Sequence, residues 1–237
     1  MTTTDFAALP GLIADAGTWL LDQYGTCTHP VRGYSYHNHT HGRDVARAAS
    51  AIAAELHDAG QVPAGLVPLA GYAGWVHDAH QGHGHEARSA DHAEQQMRRA
   101  GMDPTQIALV RRMIAATQVT GVCGCRLVQA ADPADLPQAI LADADLSSLG
   151  SRDGVHRALL LDQEQQHLAG STTPDREVTL RFLAFQVGLF DGHRYLLPVT
   201  ERLYPHRQAN ADLLAHLADL YAADRISHAG LLARARA

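Results

Sequence analysis

The stretch Leu66-Val67-Pro68-Leu69-Ala70-Gly71-Tyr72-Ala73-Gly74-Trp75-Val76-His77-Asp78 is apolar or small until its last two residues. It falls short of the roughly 20 apolar residues of a membrane span, so it reads as a helix buried inside a helical protein. The surrounding sequence agrees, because helical periodicity dominates and strand-like alternation is nearly absent. Helices are predicted near 4–23, 40–59, 64–79, 87–100, 104–118, 133–148, 152–168, 174–190 and 207–222, with a short one after 224. Gly60 to Pro63, Gly101 to Pro104, Gly121 to Gly124 and Gly170 to Pro174 punctuate them. The run Ser171-Thr172-Thr173-Pro174 has the form of a helix N-cap followed by proline at the first helical position. With no internal repeat, linker or low-complexity tail, the expectation is one all-α domain over 1–237.

A chain of 237 residues can bury a sizeable core, and 46% apolar with 19% charged residues is a globular composition. The net charge of −6 gives no basic footprint for a nucleic-acid polymer. Small phosphorylated metabolites stay open as partners, since a bound cation reverses the local field. All 19 basic residues are arginine, which removes lysine as a nucleophile. Cys27, Cys123 and Cys125 form no disulfide framework, and Cys123-Gly-Cys125 reads as a pair of reduced thiols in a loop. The first residues carry neither a basic region nor an apolar run, and no stretch is long enough to enter a membrane, so the cytoplasm is the expected location.

Chemistry gathers where helices begin and end. His77 and Asp78 close the apolar helix, and a carboxylate beside an apolar helix end is costly unless it is paired or metal-bound. Adjacent helical positions diverge by about 100°, so both can serve only an ion lying between their directions. The same pair also suits an ordinary helix C-terminus, with the histidine near the last carbonyls and the aspartate in water. In Tyr36-His37-Asn38-His39-Thr40-His41-Gly42-Arg43-Asp44-Val45, His37 and His41 share a face if the helix already begins there. In Ala142-Asp143-Ala144-Asp145-Leu146-Ser147 the two acids are roughly 200° apart on a helix, so only one can face a shared site. Two histidines with two carboxylates would leave coordination positions open, and such a set suits Mn, Mg, Zn or Fe, as one ion or two.

In this order, His…His-Asp…Asp resembles the signature of the HD superfamily of metal-dependent phosphohydrolases, which are all-helical bundles. Carried over residue by residue, the resemblance implies His41, His77, Asp78 and Asp145 as metal ligands. It extends over about 36 to 210, with the metal motifs in 36–146 and the helices of 150–237 completing the pocket. The Tyr-His-Asn-x-x-His…Asp-Val pattern is similar to that of class I cyclic-nucleotide phosphodiesterases and of small bacterial HD proteins. In the former, the histidine of Tyr-His-Asn protonates the leaving oxygen, a role that falls here on His37. Their last ligand lies in Ala-Asp-Leu-Ser, matching Ala144-Asp145-Leu146-Ser147 and selecting Asp145 over Asp143.

The resemblance further implies a phosphate ester as substrate, a nucleotide or another small phosphorylated metabolite. A metal-activated water would be the nucleophile, and Asp78 would orient it. Phe185-Gln186-Val187-Gly188-Leu189-Phe190-Asp191 resembles the stretch carrying the purine-binding glutamine, so Gln186 would read a base edge and Leu189 or Phe190 would line its pocket. Glu86 and Arg88 follow the His-Asp pair closely, with Arg88 a candidate phosphate clamp and His80 a candidate pocket residue, although Glu86-Ala-Arg88 equally suits a solvated helix start. The chain departs from the phosphodiesterase pattern at Ala79-His80-Gln81-Gly82, one residue short, and in a shorter span from Asp78 to Asp145. Two rivals remain: a di-iron oxygenase of the same fold, which needs two more histidines where only His92 follows the Gly/His loop 81–85, and a non-catalytic helical scaffold.

Overall fold

A computed structural model describes residues 6–123 and 126–236, with no side-chain description for Cys123 and Arg126. The fold is all-α, as expected. In chain order it runs α1 (Leu9–Tyr24), a short hairpin of β1 (Gly25–Thr26) and β2 (His29–Pro30), α2 (His39–Asp58), α3 (Leu66–Val76), α4 (His85–Arg99) and α5 (Pro104–Ala116). A second hairpin, β3 (Val119–Cys123) with β4 (Arg126–Gln129), precedes α6 (Leu136–Asp145) and a 3₁₀ turn at Leu146–Gly150. Then come α7 (Gly154–Leu168), α8 (Arg176–Gly192), α9 (Pro198–Leu203), α10 (Arg207–Ala222) and α11 (His228–Arg234). No helix among the described residues is long and apolar enough to cross a membrane.

Helix α3 is the centre of the larger core. Leu66, Leu69, Ala70, Tyr72, Ala73 and Val76 are all buried, packed among residues of α1, α2, α5 and α6. Small residues set how closely α2 approaches. A Cβ added at Gly74 would sit 2.6 Å from Ala46 Cα, and one at Gly71 would sit 2.5 Å from Ser50 Oγ. The two backbones therefore run nearly in contact, which carries the first turn of α2 to the last turn of α3. A second core joins α7, α8, α10 and α11 through Leu159, Leu183, Phe190, Leu214, Leu217 and Leu231.

Three expectations change. The segment around Gly121, read as a loop, is the β3–β4 hairpin, in which Val122 pairs with Leu127 and the register shifts between Val119 and Gly121. That irregularity and the glycine remove the alternation by which a strand is recognised. Cys123 ends β3, while Cys125 lies outside the described residues. Helix α9 was not expected, because its cap comes from far away. Asp143 accepts bonds from Leu196 N (2.8 Å), Leu197 N (2.9 Å) and Thr200 Oγ1 (2.7 Å). Finally, α6 ends at Asp145 and passes into a 3₁₀ turn, so the predicted helix 133–148 is shorter.

The bonds to Asp143 make it structural. Asp143→Ala is expected to lower stability by about 2 kcal/mol or more, given the cost of losing a cap and of stranding buried donors. Urea denaturation measures the loss, and manganese affinity should be retained in the folded variant.

Candidate metal centre

Asn38 decides how the first motif is presented. Its side chain accepts from Thr40 N at 2.9 Å and caps α2, while its amide donates to Tyr34 O at 2.8 Å. The helix thus begins at His39, so His37 stands before it and His41 lies in its first turn. The two rings still meet, with centroids 5.6 Å apart. The tight α2–α3 packing brings His41 within 5.2 Å of His77, ring to ring. Asp145, at the end of α6, completes a group with His41 and His77 whose ligand atoms all lie within 4.8 Å of one another.

The individual distances are informative. His77 Nε2 is 3.3 Å from Asp145 Oδ1 and 3.4 Å from Asp78 Oδ2. His41 Nε2 is 3.5 Å from each of those oxygens. His77 Nδ1 lies 2.8 Å from Gly74 O, a bond that requires the proton on Nδ1, so that the neutral ring would present the Nε2 lone pair to an ion. Both Nε2 atoms are buried and have no hydrogen-bond partner. Separations of 3.3–3.5 Å exceed the roughly 2.7–2.9 Å of a charge-assisted hydrogen bond. They match the roughly 3.3 Å expected between neighbouring ligands each about 2.0–2.2 Å from a tetrahedral ion. The His41, His77 and Asp145 donors therefore fit a divalent cation, and Asp78 Oδ2 lies beside both histidines.

Electrostatics say the same. Burial works against charge on His77, but the Asp78 and Asp145 carboxylates outweigh it and raise its pKa well above the ordinary histidine value. Burial likewise opposes ionisation of Asp78 and Asp145, and the facing histidines hold both carboxyls below the usual range. Two carboxylates facing two imidazoles thus favour positive charge between them, which a proton or a cation can carry. Asp143, by contrast, is turned to the α9 backbone, and burial pushes its carboxyl up to about 6 against its three hydrogen bonds.

Two participants were not found in the sequence. Glu164 of α7 is buried and accepts from Tyr36 N (2.7 Å) and His37 N (2.9 Å), and it bonds His37 Nδ1. Burial disfavours the charged imidazole of His37, yet the Glu164 bond and carboxylate outweigh it and raise the pKa. His37 Nε2 is left directed toward Asp78, 4.0 Å away. Gln129 of β4 donates from Nε2 to Asp145 Oδ2 at 3.1 Å, holding the carboxylate so that Oδ1 faces the histidines. Gln129→Ala is expected to weaken manganese binding about 10–100-fold, the usual range for partners that orient metal ligands. Titration followed by electron paramagnetic resonance reads this directly.

The remaining candidates divide. Gln186 and Phe190 are buried and line one cavity of about 250 Å³ together with Tyr36, Phe182 and Phe185. His80 is directed elsewhere: its ring packs on Trp19 and His92, with centroids 5.7 and 5.5 Å away. The Arg88 guanidinium is spent on the loop, donating to His83 O at 2.6 Å and Gln81 O at 2.7 Å. From that Gly/His loop, His85 does reach the centre, with Nε2 3.1 Å from Asp78 Oδ1 and 3.6 Å from Glu86 Oε1. No family model, curated protein or solved structure matches this chain.

Proposed function

We propose that this chain is a metal-dependent phosphoester hydrolase related to the HD superfamily, with a nucleotide or another small phosphorylated metabolite as substrate. The observation that carries the reading is the pair of buried, unpartnered Nε2 atoms of His41 and His77 facing the Asp145 and Asp78 carboxylates. Those four residues would hold a divalent cation, Mn, Mg, Zn or Fe, which when bound supplies Lewis acidity toward water and the phosphoryl oxygens.

The chain's own residues do the rest. Asp78 sends Oδ2 toward the two ligand histidines and Oδ1 toward His85, which suits it to orient an attacking water. His37, whose pKa the Glu164 carboxylate raises, would carry a transferable proton on Nε2, the atom facing Asp78, and donate it to the departing oxygen. Gln129 keeps Asp145 from rotating. The cyclic-nucleotide version of the reading is supported by Gln186 and Phe190 sharing a cavity with Tyr36, the neighbour of His37.

The test is a panel of 3′,5′-cyclic nucleotides, 5′-monophosphates, triphosphates and simple phosphomonoesters, each with manganese or with chelator. Metal-dependent cleavage supports the proposal, and cyclic-nucleotide opening selects the phosphodiesterase version. Cleavage of none of them, by a protein shown to bind manganese, sinks the hydrolase reading and favours the oxygenase. Failure to bind manganese at all favours the scaffold.

A further inference from the structure

Three helices begin around one cavity of about 730 Å³, away from the metal centre. Gly65 and Leu66 at the start of α3, Thr105 and Gln106 at the start of α5, and Leu136 and Pro137 at the start of α6 all line it. Phe6 adds its ring against Gly65, where a Cβ would sit 2.4 Å from Phe6 Cζ. Helices α3 and α6 lead to His77 and Asp145 at their other ends. At 1.5 Å per residue, about 14–16 Å of helix separates this cavity from the metal ligands.

The wall is mainly apolar, built by Phe6, Val62, Leu66, Leu69, Leu109 and Leu136. Small-molecule pockets have this make-up, mostly apolar with a few polar groups, over roughly 300–1,000 Å³. The two charged side chains in the wall, Arg112 and Asp135, face each other at 3.4 Å. Asp135 is engaged further as the cap of α6, where it also accepts from Gln138 Nε2 at 2.9 Å. An ionic head group would therefore leave water for a wall with no net charge, which is unfavourable.

One polar group in the wall lacks a partner. Gln106 is 6% exposed, and its Oε1 accepts from Asp103 N at 3.3 Å as half of the capping box of α5. That bond fixes which end of the amide carries the nitrogen, and Nε2 is buried with no hydrogen-bond partner. A stranded donor is costly, and an acceptor brought to it removes the cost. A carbonyl oxygen offers lone pairs without adding a donor that the apolar wall would strand in turn. We propose that this cavity binds a small, uncharged apolar molecule carrying a carbonyl group, a ketone or an ester, whose oxygen accepts from Gln106 Nε2. The site stands whether or not the chain is a hydrolase.

The experiment measures binding of four probes of one shape to the full chain by ligand-observed NMR titration: 2-acetylnaphthalene, 2-isopropylnaphthalene, 2-naphthoate and 2-naphthylmethylammonium. The ketone should bind about 5-fold or more tighter than its isopropyl analogue, the worth of one net hydrogen bond, and tighter than either ion. Gln106→Met, which keeps the volume and removes the donor, should erase the advantage of the ketone and leave the isopropyl analogue unaffected. Leu109→Arg, which puts a charge into the wall, should end binding of both neutral probes. Asp145→Ala should bind the ketone as the wild type does. Equal or tighter binding of the isopropyl analogue or of an ion overturns the assignment, as does ketone binding that survives both cavity variants. Ketone binding lost in Asp145→Ala would move the site to the metal centre. A concentration-dependent dimer that Leu109→Arg dissolves would make this face a subunit contact instead, and binding of no probe refutes the site.

Discussion

Asp145→Ala is expected to abolish metal-dependent hydrolysis and to weaken manganese binding by more than about 100-fold, beyond the 10–100-fold typical of residues that only support a ligand. The reason is positional. Asp145 Oδ1 lies 3.3 and 3.5 Å from the two buried Nε2 atoms and completes the three-ligand group with them, and Gln129 holds the other oxygen of that carboxylate in place. Without it, the two buried imidazoles, His41 in the first turn of α2 and His77 at the end of α3, lose an anion that helps to balance a dication. Thermal unfolding offers a second readout. Wild-type protein in manganese at about 100 times its Kd should gain roughly 2.7 kcal/mol from ligand linkage. At the same manganese concentration, the variant should show almost no shift. An unchanged shift in Asp145→Ala would remove this residue from the centre.

His37→Ala has the opposite signature. Manganese should bind as before, because the His37 ring bonds Glu164 and only its Nε2 faces the ligand group, at 4.0 Å from Asp78. Turnover should fall about 10²–10⁴-fold, the usual worth of a positioned general acid. Loss of metal in proportion to activity would make His37 a ligand instead. Glu164→Gln separates charge from shape at the same place. Glu164 raises the His37 pKa, so a neutral amide should let His37 lose its proton at lower pH. The alkaline limb of kcat against pH should then move to lower pH, with KM little changed. A purely structural role for Glu164 would lower the rate without moving that limb.

These residues also show where reading along the chain stops. Helices α2, α3 and α10 were legible because periodicity and end signals lie within the segment itself, and the apolar run before His77 announced a buried helix end. The choice of Asp145 over Asp143 agrees with their hydrogen bonds, but it had rested on a motif; along the chain the two acids differ only by angle. Helix α9 was not legible, since Asp143 stabilises its start across 57 residues. Glu164 and Gln129 were hidden for the same reason, contacting His37 and Asp145 from 127 and 16 residues away. A local signal did exist for Glu164: it lies one turn after Leu160 on α7, and both are buried. A carboxylate at such a position needs a partner. Arg88 shows the reverse error, where charge near a motif suggested a phosphate and the geometry gives backbone carbonyls.

The most direct measurement is anomalous diffraction at the manganese edge from crystals of the full chain soaked in manganese. The account predicts a dominant peak among His41 Nε2, His77 Nε2, Asp78 Oδ2 and Asp145 Oδ1, absent from Asp145→Ala crystals. Peaks confined to surface histidines, with those four side chains ordered and no density between them, would contradict it.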